Sequence, residues 1–263
     1  DYIMDFEGNL YDNCFYDPDH RGFHMMVMPT SKKMQYGGTG GNISYNLALL
    51  NTKVVLATSV GIDFETSGYK KHLLSINDSI IELKLEYYEN DFCANCYIVN
   101  DEKKQQLIIY HGGATNKIPN KSLNERGISN KDIIWAINSP ENPAQMLKVS
   151  RELNSMNIKT ILDPGQVTPA FNGEELKEML DNSEVLICNE HEFKMIREKI
   201  GEELPGLMER IKYLIVTRGE EGSRLHKKDS NDKIEEIDIP LVKAKRVLDP
   251  TGAGDGYRSG LLY

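Results

Sequence analysis

Long apolar runs are missing from this sequence. No stretch approaches the roughly 20 residues that a membrane-spanning helix requires, and nothing at the start reads as a secretory signal peptide. Cysteine is scarce: Cys14, Cys93, Cys96 and Cys188 are the four in 263 residues. A disulfide-stapled secreted scaffold is therefore excluded, and a reducing cytoplasm is the expected compartment. Basic residues are outnumbered 31 to 40 by acidic ones, for a net charge of −9. That balance argues against broad nucleic-acid binding, which depends on basic surface. Any anionic ligand must be met by local donors that overcome the general field. Repeats and low-complexity tracts are absent. So is any G-x-x-x-x-G-K-[ST] segment, which rules out a P-loop.

What is present is an ordinary globular composition, 40% hydrophobic and 27% charged. The length fits one large α/β domain or two modest ones and is enough to bury about 70–75% of the unfolded surface without cross-links. Cys93-Ala94-Asn95-Cys96 is a lone C-x-x-C with no second pair to complete a zinc site. It lies in a strand-like run, where positions i and i+3 point to opposite faces, so packing is the expected role. The three Asn-x-Ser matches at Asn42, Asn77 and Asn120 are accidental in a cytoplasmic protein.

Two textures divide the chain near Gly113. Before it lie strand-like segments at Tyr2–Phe6, Phe23–Met28, Phe92–Val99 and Gln106–His111, the last two joined by the turn Asn100–Lys104. A helix-like segment, Asn42–Leu50, is followed by the apolar strand Val54–Ala57. After Gly113, short apolar strands alternate with amphipathic helices. The strands are Ile133–Ile137, Ile158–Leu162, Val185–Cys188 and Tyr213–Val216, and the helices Glu141–Met156, Glu174–Leu180 and His191–Ile200. This alternation predicts a parallel sheet covered on both faces. Asp229–Asp238 reads as an exposed, charged hairpin. A polar or glycine-containing cluster follows each strand: Asn138-Ser139-Pro140, Asp163-Pro164-Gly165, Asn189–Glu192 and Thr217-Arg218-Gly219. In open α/β sheets, ligands bind at that carboxyl edge, although polar residues and glycine also serve simply as turns.

The strongest motif is Asp249-Pro250-Thr251-Gly252-Ala253-Gly254-Asp255, followed by the helical-looking Gly256–Leu262. A helix starting here leaves the amides of Gly252, Ala253 and Gly254 unpaired and aimed at an incoming anion. Asp255 beside them is placed to take a proton from an acceptor hydroxyl. The plainer reading makes Asp255 a dipole-compensating residue at a helix start. A second motif, Gly37-Gly38-Thr39-Gly40-Gly41-Asn42, is a close-approach loop before a helix. Asn42 offers a donor and an acceptor suited to vicinal hydroxyls, or caps the helix. A dinucleotide fingerprint is disfavoured, since the third glycine is missing and no short strand runs into the loop.

These residues together resemble the ribokinase/PfkB carbohydrate and nucleoside kinases, in order and over nearly the whole chain. Gly37-Gly38 with Asn42 is similar to that family's Gly-Gly-x-x-x-Asn substrate loop. Asn189-x-x-Glu192 is similar to its Asn-x-x-Glu motif, Thr217 through Ser223 to its Thr-x-Gly-x-x-Gly nucleotide segment, and Asp249 through Asp255 to its carboxy-terminal signature. The resemblance implies a ribokinase-like three-layer α/β/α sandwich with a central, mostly parallel sheet. One kinase domain would span residues 1–263, with a small β lid from segments about 2–36 and 90–112. It implies ATP and Mg2+ as cofactors, Asp255 as the base and Gly252, Ala253 and Gly254 as the anion hole. Asp1, Gly37, Gly38 and Asn42 would bind the substrate, Asn189, Thr217, Gly219 and Gly222 the nucleotide, and Glu192 magnesium through water.

Details around Gly38–Leu47 and Gly256–Gly260 resemble the adenosine-kinase-like branch, which implies transfer to the 5′-hydroxyl of adenosine and a place in purine salvage. A sugar kinase of the same family is the alternative, and a non-catalytic nucleoside- or nucleotide-binding protein is the alternative of another class. The resemblance also implies a homodimer paired through the lid. Two departures stand out. The chain begins without the family's hydrophobic first strand and stops at Tyr263, early in the anion-hole helix, so it is expected to be incomplete at both ends.

Overall fold

The computed structural model describes residues 1–17, 22–103, 105–131, 133–246 and 251–263. Alternating apolar and polar positions in the first third produce short strands rather than helices. These are β1 (Tyr2–Asp5), β2 (Cys14–Asp17), β3 (Gly22–Met25) and β4 (Ser31–Met34). The glycine loop then opens α1 (Thr39–Leu49), which leads to β5 (Val54–Gly61), α2 (Tyr69–Leu73) and β6 (Ile81–Tyr88). A hairpin of β7 (Asn95–Asn100) and β8 (Gln106–His111) closes this part. Its turn is pinned by Asp101, whose carboxylate accepts from Gln105 N at 2.9 Å and from Leu10 N at 3.2 Å. Lys104 of the expected turn lies outside the described residues.

A small mixed sheet has the order β4-β1-β7-β8, with β1 antiparallel to β4 and parallel to β7. The β2–β3 pair forms a separate antiparallel ribbon. β5 and β6 form a parallel pair, and their Leu56, Val60 and Ile81 pack in one core with Phe64 and with Leu73 of α2.

The remaining strands are β9 (Trp135–Asn138), β10 (Lys159–Leu162), β11 (Val185–Asn189), β12 (Tyr213–Thr217), β13 (Ser223–Lys228) and β14 (Ile234–Ile239). Between them run α3 (Pro143–Ser155), α4 (Gly173–Asp181), α5 (Glu190–Ile200) and α6 (Leu204–Arg210), with α7 (Ala253–Leu262) at the end. β9 to β12 are parallel neighbours, and β13 and β14 continue the sheet antiparallel. Val185, Leu186, Ile187 and Cys188 are all buried, as a parallel strand covered on both faces demands. On one face Leu162, Leu186 and Leu214 meet Met146, Leu176, Met179, Ile196 and Leu207 from the helices. On the other, Ile161, Ile187 and Ile215 meet Tyr257 and Leu262 of α7. Each such large side chain contributes about 1.5–3 kcal/mol by leaving water. The result is the three-layer α/β/α sandwich expected from the sequence.

Several boundaries differ from the sequence reading. α1 begins at Thr39 rather than Asn42. β7 begins at Asn95, so Cys93 precedes the strand instead of lying on it. Cys93, Cys96 and Cys188 are free thiols. The charged hairpin is β13–β14, whose first strand starts six residues before the expected segment, and Asp232 turns it at a φ of 61°.

Candidate active site

The carboxyl edge of the large sheet brings the four polar clusters to one place. Pro140, Asp163, Gly165, Asn189, Glu192 and Thr217 line a cavity of about 250 Å³, closed from the opposite side by Thr39, Gly254, Asp255 and Arg258. Three helix starts therefore face this cavity, those of α1, α5 and α7, and the first and last owe their position to glycine. Gly252 caps α7 at a φ of 78° and Gly38 caps α1 at a φ of 85°, conformations that L side chains rarely adopt. The first bond of α7 is Gly256 N to Gly252 O at 2.9 Å. The amides of Gly252, Ala253, Gly254 and Asp255 come before it and find no carbonyl of the helix to bond. Asp249 and Pro250, which open the signature, lie outside the described residues.

The two glycine motifs meet directly. Asn42 Nδ2 donates to Asp255 Oδ2 at 2.7 Å, across 213 residues of sequence. Asn42 is the fourth residue of α1, so it is not the helix cap. Its bond engages Oδ2 of Asp255. α1 and α7 are joined again one turn on, where buried Ser259 donates from Oγ to Ile43 O at 3.4 Å and to Asp255 O at 2.7 Å.

Asp1 lies beside the same loop. Its Oδ1 accepts from Cys96 N at 3.1 Å, and a Cβ on Gly37 would collide with its Oδ2. Tyr69 Oη donates to Gly37 O and also occupies the space where a Cβ of Gly41 would stand. Burial, with help from Cys93 and Asp255, pushes the Tyr69 phenol up to about 12, so it stays a donor. Asp1, Gly37 and Gly38 border a larger cleft of about 1730 Å³ that runs beneath the small sheet.

Asn189 and Glu192 form a reciprocal capping box at the start of α5. Asn189 Oδ1 accepts from Glu192 N and Glu192 Oε2 accepts from Asn189 N, both at 2.8 Å. The capping reading of this pair and its place in the cavity wall hold together. Thr217 ends β12 with Oγ1 donating to Cys188 O at 3.4 Å. Gly219 and Gly222 are not in the cavity wall. They shape the turn after Thr217 with φ values of 55° and 83°, and a Cβ at Gly222 would strike Ile239 O and come within 2.8 Å of Leu241 N.

Asp163 and Arg258 were not singled out as site residues. Asp163 is fully buried and takes a forked pair of bonds from Arg258, one of them Nη2 to Oδ1 at 2.6 Å. Burial pushes the Asp163 carboxyl up to about 6, against the pull of the guanidinium. The signal available in sequence was the Asp163-Pro164-Gly165 cluster after a strand; Arg258 is one turn beyond Asp255 and carried no motif of its own. Among the described residues no group of three His, Cys, Asp or Glu side chains is arranged to hold a metal by itself. A hard cation that keeps most of its waters and takes phosphate oxygens needs less than such a cage, and the oxygens of Glu192 and Asp255 suit it.

A sheet edge of this kind, with two glycine-capped helix starts and a carboxylate held by an asparagine, is the layout of an enzyme that handles a phosphorylated ligand. The chain belongs to the pfkB family of carbohydrate kinases, whose family model matches residues 9–263. It is 33% identical over 235 residues to a nucleoside kinase of Methanocaldococcus jannaschii, covering 89% of this chain and 73% of that protein. The crystal structure of the M. jannaschii nucleoside kinase, an archaeal member of the ribokinase family, superposes with a TM-score of 0.82 at 30% identity, over 99% of this chain and 79% of that one. The nucleoside kinase of Burkholderia thailandensis in complex with inosine gives a TM-score of 0.75 at 28% identity, over 99% and 79%. In complex with ADP-inosine it gives 0.73 at 28%, over 100% and 79%.

Proposed function

We propose that this chain is a nucleoside kinase that moves the γ-phosphoryl group of ATP to the 5′-hydroxyl of a nucleoside, with adenosine as the acceptor of choice. The observation that carries this reading is the bond from Asn42 Nδ2 to Asp255 Oδ2. It ties the acceptor loop to the base at the first turn of α7. Its support from relatives is that they are nucleoside kinases, one of them solved with inosine, a purine nucleoside.

In this reading Asp1, Gly37, Gly38 and Asn42 hold the ribose. Asp255 accepts the 5′-hydroxyl proton as the bond from phosphorus to the bridging oxygen of ADP breaks and the new P–O bond forms in line. The amides of Gly252, Ala253 and Gly254 bear the charge that spreads over the equatorial oxygens. Asn189, Thr217, Gly219 and Gly222 shape the nucleotide side. Glu192 would hold Mg2+ through water, and the ion would supply neutralisation of phosphate charge. The small β4-β1-β7-β8 sheet is the lid, which excludes water and limits wasteful hydrolysis of ATP. The protein works in the cytoplasm in purine salvage and pairs through its lid.

The test is ATP turnover by the full-length protein with adenosine, inosine, ribose and fructose as acceptors. Adenosine is expected to give the highest kcat/KM. Asp255→Asn is expected to lose about 10³-fold in kcat while nucleoside binding persists. Full turnover by that variant, or a preference for ribose or fructose, removes the reading.

A further inference from the structure

Arg258 is a cation with no task in the reading above, yet it lines the cavity. Among the described residues, the wall of that cavity holds three carboxylates, Asp163, Glu192 and Asp255, and one cationic side chain, Arg258. A polyphosphate entering there meets more like charge than opposite charge unless the guanidinium is turned toward it.

The geometry turns it that way. Arg258 sits four residues after Gly254 on α7, and long helical side chains run back toward the helix start. Asp163 binds Nε and Nη2, which leaves Nη1 as the outer edge of the fork. Nη1 lies 2.7 Å from where a Cβ of Gly254 would stand. The free edge thus reaches the second residue of the anion-binding turn. The pair is held rigidly: the side chains of Arg258 and Asp163 are 13% and 0% exposed. Asp163 N donates to Asn138 O at 3.0 Å, and Gly165, at a φ of 49°, lets the next turn close against Pro140. The edge of the guanidinium that Asp163 does not hold is thus the one turned toward the start of α7.

We propose that Arg258 is a phosphate-binding residue of this site. Its Nη1 donates to an oxygen of the transferring phosphoryl group, and Asp163 acts as the positioning residue that fixes the fork. Arg258 takes up no proton. It offsets the charge that moves onto the phosphoryl oxygens while Asp255 collects the hydroxyl proton, and its planar fork suits this task where an ammonium does not. Gly254 then has two reasons to lack a side chain: the anion approaches its amide, and the guanidinium fills the space beside it. The proposal rests on the nucleoside kinase reading for the identity of the acceptor, but not for the presence of a phosphate.

The experiment compares the full-length protein with Arg258→Gln, Arg258→Lys and Asp163→Asn. It measures kcat and KM for ATP and adenosine, and calorimetric Kd values for the magnesium complex of β,γ-methylene-ATP, which keeps the γ-phosphoryl group, and for adenosine alone. For Arg258→Gln, kcat is expected to fall about 100-fold and the Kd for magnesium β,γ-methylene-ATP to rise about tenfold, with adenosine binding within about threefold of the parent. Arg258→Lys recovers only a small part of the loss, because lysine cannot serve Asp163 and the phosphate together. Asp163→Asn keeps the cation but loosens it, so kcat falls while the Kd for adenosine holds. If Arg258→Gln does not fold, Arg258→Lys carries the same comparison. A folded variant with kcat and β,γ-methylene-ATP affinity unchanged overturns the proposal. Parallel loss of melting temperature, adenosine binding and turnover also overturns it, since that pattern belongs to a structural lock. If the parent protein binds β,γ-methylene-ATP but phosphorylates no nucleoside, the function proposed above fails, and the comparison of β,γ-methylene-ATP affinities still decides the role of Arg258.

Discussion

Glu141 precedes α3, and its Oε1 accepts a hydrogen bond from Thr58 Oγ1 at 3.4 Å. Burial pushes its carboxyl up to about 7, opposed by the charge of Arg126 and by the Thr58 bond. Arg126 itself is spent on the carbonyls of Thr58 and Lys84. A raised carboxyl binds more protons in the folded chain than in the unfolded one across the interval from about 4.5 to about 7. Stability from this group is therefore fullest below that interval and falls as pH rises through it. Glu141→Gln removes the fall. The variant is expected to gain about 1–3 kcal/mol on the parent between pH 5 and pH 8, or several degrees in melting temperature. Thermal melts at both pH values check this, and an offset that does not change with pH contradicts it.

At the scale of the element, α5 carries two duties that substitution can separate. Asn189→Ala breaks the capping box and is expected to cost about 1 kcal/mol of stability along with activity. Glu192→Gln keeps an acceptor for Asn189 N, so the box survives. Its melting temperature should stay within about a degree while its requirement for Mg2+ rises and kcat drops. Thermal melts paired with magnesium titrations make the distinction; equal destabilisation by both variants would make Glu192 a capping residue only. α5 was readable because an apolar strand, an N-cap and an acidic first turn follow one another in sequence. α1 was read three residues short for the opposite reason. Gly40 and Gly41 oppose helix by propensity, and they are helical here because Leu56 and Tyr69 Oη occupy the space beside them. β6 carries the apolar–polar alternation of a strand, Ile81, Leu83, Leu85 and Tyr87 against Glu82, Lys84 and Glu86, and is absent from the segments named above; the parallel partner that buries it is 27 residues upstream. The Asn42–Asp255 bond is likewise invisible to any local pattern, since only the packing of α1 on α7 creates it. Motif order placed both residues in one site without showing that they touch, and no spacing rule pointed to Asp163 and Arg258.

At the scale of the whole molecule, the small sheet has two edges that are treated differently. β4 presents Lys32 and Lys33, charges that keep an open edge from pairing with another chain. β8 at the other end carries no lysine, glutamate or aspartate. Its Ile108, Ile109 and Tyr110 are 55%, 56% and 65% exposed. Ile108 and Ile109 point to opposite faces, so both faces of the sheet are bare at this end. An edge so apolar calls for a cover, and a second copy of the chain can provide it by strand-to-strand pairing. A stable dimer needs about 1,200–2,000 Å² of contact, more than one six-residue strand offers, so the β7 face around Tyr97, 39% exposed, must join the interface. Each copy carries a formal charge of −9, so added salt should strengthen pairing by screening repulsion. Sedimentation velocity at micromolar concentration is expected to show a dimer for the parent and a monomer for the double substitution Ile108→Lys with Ile109→Lys. The monomeric variant should keep the cavity intact and bind MgADP as the parent does, because β8 contributes nothing to that wall. A parent protein that sediments as a monomer at every salt concentration would leave the bare edge of β8 to some other cover and end the case for pairing through the lid.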